Sequence, residues 1–121
     1  MIDIVGKEQL EEFIWENKDK VIVIYFGASW CGPCKKLKEK IDSDETKIEM
    51  SNLAIAHLDV DEDENNSLVE LYDAASIPLQ VFVELKGTQI IEIKKIMGFD
   101  WINFKMTYES IMQSKFNSIN V

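Results

Sequence analysis

Cys31 and Cys34 are the only cysteines of the chain, three positions apart in the stretch Ser29-Trp30-Cys31-Gly32-Pro33-Cys34-Lys35-Lys36. Two thiols at that spacing can bind a metal, form a structural cross-link, or cycle between dithiol and disulfide. A structural zinc site needs about four nitrogen or sulfur ligands. His57 is the only histidine, so one chain lacks the set, leaving only a metal shared between chains. A structural disulfide over two intervening residues closes a very small loop and constrains the unfolded chain little. The third chemistry requires one thiol to be a thiolate near neutral pH and the other to stand close enough to displace it.

The flanking elements decide among these. Residues 20–27 (KVIVIYFG) form an unbroken β-branched and aromatic run, the pattern of a central strand covered on both faces. Pro33 suits the first turn of a helix, where its missing N–H has no partner to lose, and CKKLKEKI continues that helix. Asp42-Ser43-Asp44 ends or bends it. A strand therefore leads through a short turn into a helix that begins at the cysteine pair. There Cys31 meets free backbone N–H groups and the positive end of the helix dipole, both of which favour thiolate over thiol. Each unit of pKa depression corresponds to about 1.4 kcal/mol. Cys34 lies one turn further on the same face, in reach of a mixed disulfide. Gly32 lets a partner chain approach and Pro33 stiffens the turn. The pair reads as a redox dithiol.

Around this centre the pattern predicts a strand-like start at Ile2, Ile4 and Val5, and a helix over 7–17 with Leu10, Phe13 and Ile14 at helical spacing. A strand over 53–60 follows, then an acidic turn over 61–66. A short helix over 67–74 carries Leu68, Leu71 and Tyr72 on one face. Strands over 79–85 and 89–96 form a hairpin about Lys86-Gly87. A last helix over 100–113 carries Trp101, Phe104, Tyr108 and Ile111 as an apolar stripe, read as core rather than as a cofactor site. The tail after Lys115 is expected to fray. The order β-α-β-α-β-α-β-β-α implies parallel crossovers plus one antiparallel hairpin, an α/β mixed sheet between helices in a single domain over 1–121.

At 121 residues the chain can bury one sizeable core, and 46% hydrophobic with 29% charged residues is ordinary for a globular protein. A formal net charge of -9 argues against nucleic acid, since the basic residues cluster only at Lys35, Lys36, Lys38 and Lys40. The most apolar run, 21–26, is far short of the ~20 residues of a membrane span. The N-terminus lacks a basic region followed by an apolar stretch, so the expected place is the cytoplasm, unless a leader has been removed. No cofactor or metal is called for, and a monomer is expected.

Trp30-Cys31-Gly32-Pro33-Cys34-Lys35 after a VIVIYFGAS strand resembles the active-site signature of the thioredoxin family. The resemblance continues through Leu58-Asp59-Val60-Asp61, Ile77-Pro78 and Gly98, nearly the whole chain. It implies the thioredoxin fold, a central mixed sheet of about five strands flanked by four helices. It also implies a protein-disulfide reductase in which Cys31 attacks a target disulfide and Cys34 resolves the mixed disulfide. Pro78 matches the family's cis-proline, lying against the pair. Trp30, Ile77, Pro78 and Gly98 would bind substrate, with Ile77 offering backbone hydrogen bonds to an extended segment. The Gly32-Pro33 dipeptide resembles the reducing members and disfavours an oxidase or isomerase. The implied partners are disulfide-containing proteins and an electron donor such as a thioredoxin reductase.

Three positions depart from the family's pattern. Tyr25 stands where it has a buried Asp, His57 where it has that Asp's lysine partner, and Glu39 where it has a helix-kinking proline. His57 or Tyr25, or a water between them, is therefore expected to take the Cys34 proton, and His57 has the better ordinary pKa, near 6.5. Tyr25 and the lost helix kink at Glu39 also favour the competing class, a thioredoxin-like binding or chaperone-type module whose redox activity is weak or secondary.

Overall fold

The backbone of residues 1–119 is described in the computed structural model, with side chains described through 115. The chain runs β1 (Ile2–Asp3), α1 (Gly6–Glu16), β2 (Val21–Gly27), α2 (Gly32–Asp42), α3 (Asp44–Glu49), β3 (Leu53–Asp59), a 3-10 turn (Asp63–Asn65), α4 (Asn66–Leu71), β4 (Leu79–Lys86), β5 (Gln89–Met97) and α5 (Trp101–Ile119). One five-stranded sheet has the order β1-β3-β2-β4-β5. β3 pairs in parallel with both β1 and β2, while β4 runs antiparallel to β2 and β5.

β2 is buried at all seven positions and lies at the sheet's centre, as its uninterrupted apolar run requires. Its side chains alternate between two cores. Ile22, Ile24 and Phe26 meet Leu10, Phe13 and Ile14 of α1 and Leu68 of α4. Val21, Val23 and Tyr25 face the other way, onto Leu37 and Ile41 of α2 and Phe104, Tyr108 and Ile111 of α5. Both cysteines belong to this second layer.

Among the described residues five α-helices flank the sheet rather than four. The extra one is α3, and a single residue explains it. Ser43 is extended (ψ 148°) and its Oγ donates to the Lys40 carbonyl at 2.8 Å, closing α2. The same oxygen accepts from the Thr46 N–H at 3.2 Å, with Asp44 and Glu45 in the following turn, and so opens α3. α2 is continuous through Glu39. The acidic turn contains a short 3-10 segment, and its Asn65 is fully buried. Asn65 Oδ1 accepts from the Gly6 N–H and its Nδ2 donates to the Asp59 carbonyl, at 2.8 and 3.0 Å, tying the start of α1 to the end of β3.

Leu71 is exposed, so the apolar face of α4 is carried by Leu68, with Tyr72 half-buried. The hairpin turns at Gly87-Thr88, one residue later than expected. α5 continues to Ile119 instead of ending near 113. Beyond Lys115, where a frayed tail is expected, the backbone stays helical to Ile119, and residues 120–121 lie outside the described part. No helix among the described residues is long and apolar enough to cross a membrane.

Candidate active site

Cys31 is the N-cap of α2: its backbone is extended (φ -87°, ψ 113°) and Pro33 occupies the first turn. Its Sγ accepts a hydrogen bond from the Cys34 N–H at 3.2 Å, so one of the helix's free donors points at this sulfur. The two cysteines are paired as a disulfide, with Cα atoms 5.2 Å apart, inside the range such bonds span. Both are buried, Cys31 at 5% and Cys34 at 3% exposure.

The neighbours differ by side. Toward solvent, Trp30, Gly32 and Pro33 are exposed. The Trp30 indole N–H donates to Asp61 Oδ2 at 2.7 Å, which fixes the ring although two thirds of it is exposed. A side-chain carbon added at Gly32 would meet nothing within 4 Å, so space above the pair is open. The Ile77-Pro78 peptide is cis. Pro78 is buried, and its carbonyl accepts from the Gly98 N–H at 2.7 Å. Ile77 packs against the core layer that contains both cysteines. Gly98 has φ +83°, a left-handed conformation that favours glycine, and its carbonyl accepts from Gln80 Nε2 at 3.2 Å. Met97 and Phe99 stand exposed on either side of it.

Beneath the pair, one row of side chains crosses the sheet. The strand registers set Asp3 beside His57, His57 beside Tyr25, and Tyr25 beside Gln80. Tyr25 and His57 stack, with ring centroids 5.0 Å apart and planes at 28°. His57 Nδ1 lies 2.9 Å from Asp3 Oδ1. The Tyr25 hydroxyl donates to the Cys34 carbonyl at 3.2 Å. Gln80 is fully buried and its Oε1 has no hydrogen-bond partner.

This corrects one expectation. Tyr25 is a donor, not the acceptor of a proton: its hydrogen is committed to the Cys34 carbonyl, and burial pushes its phenol up to about 12. The ring fits because residue 27 is glycine. A Cβ there would sit 2.7 Å from the Tyr25 hydroxyl oxygen and 2.9 Å from Cζ.

Met1, Asp3, Tyr25, His57 and Asp59 meet Ala28, Ser29, Cys34, Lys35 and Lys38 around a cavity of about 360 Å³ behind the pair. Asp3, Gly27, Asp61 and Gln80 were not legible as site residues in the sequence. Asp3 and Gln80 reach the row only through strand register, which no local pattern encodes. Gly27 carried one faint signal, a glycine closing an otherwise apolar strand. Among the described residues no three His, Cys, Asp or Glu side chains gather to hold a metal ion.

A family model described as Thioredoxin matches residues 2–99, most of the chain. The chain belongs to the thioredoxin family. Thioredoxin-T of Drosophila melanogaster is 37% identical over 88 residues, which are 73% of this chain and 53% of that protein. Monothiol glutaredoxin-4 of Saccharomyces cerevisiae is 29% identical over 94 residues, 77% of this chain and 37% of that protein. The chain thus spans about half the length of one curated relative and little more than a third of the other. Trichomonas vaginalis thioredoxin superposes with a TM-score of 0.78 at 26% identity, covering 92% of this chain and 96% of that one. The observed sheet and its helices are the thioredoxin fold.

Proposed function

We propose that this chain is a thiol–disulfide oxidoreductase that reduces protein disulfides through Cys31 and Cys34. The observation that carries the reading is the placement of Cys31 as N-cap of α2, with the Cys34 N–H directed at its sulfur. A hydrogen bond to the charged form and the helix dipole both favour thiolate over thiol. In the reduced protein the Cys31 thiolate attacks one sulfur of a target disulfide and expels the other as a thiolate. Cys34 then attacks Cys31 Sγ; the Cys31–Cys34 bond forms and the target's second thiolate leaves. The target gains two electrons and the cysteine pair loses them.

Trp30, Gly32, Pro33, Ile77, Pro78 and Gly98 form the docking rim for an extended segment of the target, with Met97 and Phe99 adding apolar area beside Gly98. A dithiol donor, a thioredoxin reductase or its equivalent, returns the pair to the reduced state. The acidic balance of the chain and the Gly32-Pro33 dipeptide suit a monomer working in a reducing compartment such as the cytoplasm.

The test is reduction of insulin followed by turbidity, with a small thiol as donor. The wild-type chain accelerates precipitation. Cys34→Ser accumulates a covalent complex with the target, and Cys31→Ser neither reduces nor traps it. A wild-type chain no faster than the thiol alone, with no trapped complex, would instead assign it to the binding-module class.

A further inference from the structure

Resolution of the mixed disulfide requires Cys34, buried at 3% exposure, to lose its proton on the side away from the target. The cavity of about 360 Å³ behind it has room for several waters. The groups facing it are Asp3 from β1, Tyr25 from β2, His57 and Asp59 from and at the end of β3, Lys35 and Lys38 from α2, and the Met1 end of the chain. Lysine ammonium groups have no lone pair to offer. Tyr25 donates to the Cys34 carbonyl. Asp59 Oδ1 accepts the Asp61 N–H at 2.9 Å, which ties that carboxylate to the turn after β3. His57 is the one imidazole facing the cavity, with its side chain 22% exposed, and Asp3 fixes which of its nitrogens is free. A carboxylate can only accept, so the contact of 2.9 Å puts the ring hydrogen of neutral His57 on Nδ1 and leaves the Nε2 lone pair open.

We propose that Asp3 and His57 form the proton relay of the resolving step: His57 Nε2 takes the Cys34 proton through water in the cavity, and Asp3 is the positioning residue that holds the ring in that tautomer. This rests on the reductase reading. The thiol proton passes to His57 as Cys34 Sγ bonds to Cys31 Sγ. The electron pair of the broken bond leaves with the target thiolate, and the imidazolium then returns its proton to solvent. Stacking on Tyr25 keeps the ring against the cavity wall.

The two chemical steps separate with a symmetric nitro-substituted aromatic disulfide, whose thiolate is coloured and leaves without a proton. The pre-reduced protein mixed rapidly with this probe releases one equivalent on Cys31 attack and a second on Cys34 resolution. His57→Gln keeps a polar side chain of similar reach but no base. It is expected to slow the second phase about 10-fold or more relative to the first, and to change that phase's pH profile while leaving the first phase's unchanged. Asp3→Ala changes a largely exposed side chain, so folding is not at stake. It is expected to slow the second phase and move the His57 ring ¹⁵N shifts from an Nδ1–H to a mixed tautomer pattern. Equal second-phase rates and pH profiles in wild type and His57→Gln, or unchanged ¹⁵N shifts in Asp3→Ala, overturn the relay. A wild type that shows no first phase fails the reductase reading instead, so the two failures are distinguishable.

Discussion

Replacing Gly27 by alanine tests how the floor of the site is packed. The new methyl would lie 2.7, 2.9 and 3.2 Å from Oη, Cζ and Cε1 of Tyr25, so either the ring or the strand must shift by several tenths of an ångström. The ring has little freedom to do so. It is 2% exposed, stacked on His57 and tied to the Cys34 carbonyl. Overpacking of this kind costs about 1–3 kcal/mol, and losing the hydroxyl's hydrogen bond adds about 1 kcal/mol. The expected destabilisation is therefore about 2–4 kcal/mol, a large share of the roughly 5–15 kcal/mol typical of a domain. For a chain of 121 residues the unfolding entropy is about 0.25 kcal/mol/K, so Tm should fall by roughly 8–16 °C. Thermal unfolding of the oxidised protein, followed by circular dichroism, reads this directly. The double variant Gly27→Ala with Tyr25→Leu removes the three atoms nearest the new methyl. It should be more stable than additivity predicts by about 1–2 kcal/mol. A Gly27→Ala Tm within about 2 °C of wild type, or strict additivity in the double variant, would refute the packing of Tyr25 on Gly27.

Two further outcomes follow from the same geometry. Because burial raises the Tyr25 phenol from 10.0 to about 12, the folded state holds that proton more tightly than the unfolded chain. Its contribution is fully present below pH 10 and declines as pH rises from 10 to 12. Urea titrations should show Tyr25→Phe losing about 2 kcal/mol less than wild type across that window, and equal losses would contradict it. Trp30→Ala should move Tm by less than about 2 °C, since the ring is two thirds exposed, yet raise KM for a protein disulfide several-fold. An unchanged KM would remove Trp30 from the docking rim.

Much of the redox centre was legible because its chemistry is local. Cys31, Pro33 and Cys34 fall within one helical turn, and a helix start after an apolar strand imposes the N-cap geometry wherever it occurs. The unbroken run of β2 likewise announced a central strand, and the observed sheet places it there with both faces covered. Local patterns did not show that Ser43 both closes α2 and opens α3. One serine oxygen serves two helix ends there, and the sequence displays only a polar interruption.

By itself the sequence determined the order of the five strands and of every helix but α3, together with the cysteine pair and its place at a helix start, all consequences of side-chain periodicity and near-neighbour sterics. Only the tertiary structure decided what lies beneath that pair. Asp3 and His57 are 54 residues apart in the chain, and parallel pairing of β1 with β3 brings them to 2.9 Å. Tyr25 could have faced either core, and its alternation along β2 turned it toward α2, where it donates to Cys34 rather than accepting from it. Register and sheet order are global properties, fixed by the burial of two apolar layers at once. The row of Asp3, His57, Tyr25 and Gln80, built across four strands, is therefore settled only when the whole sheet has formed.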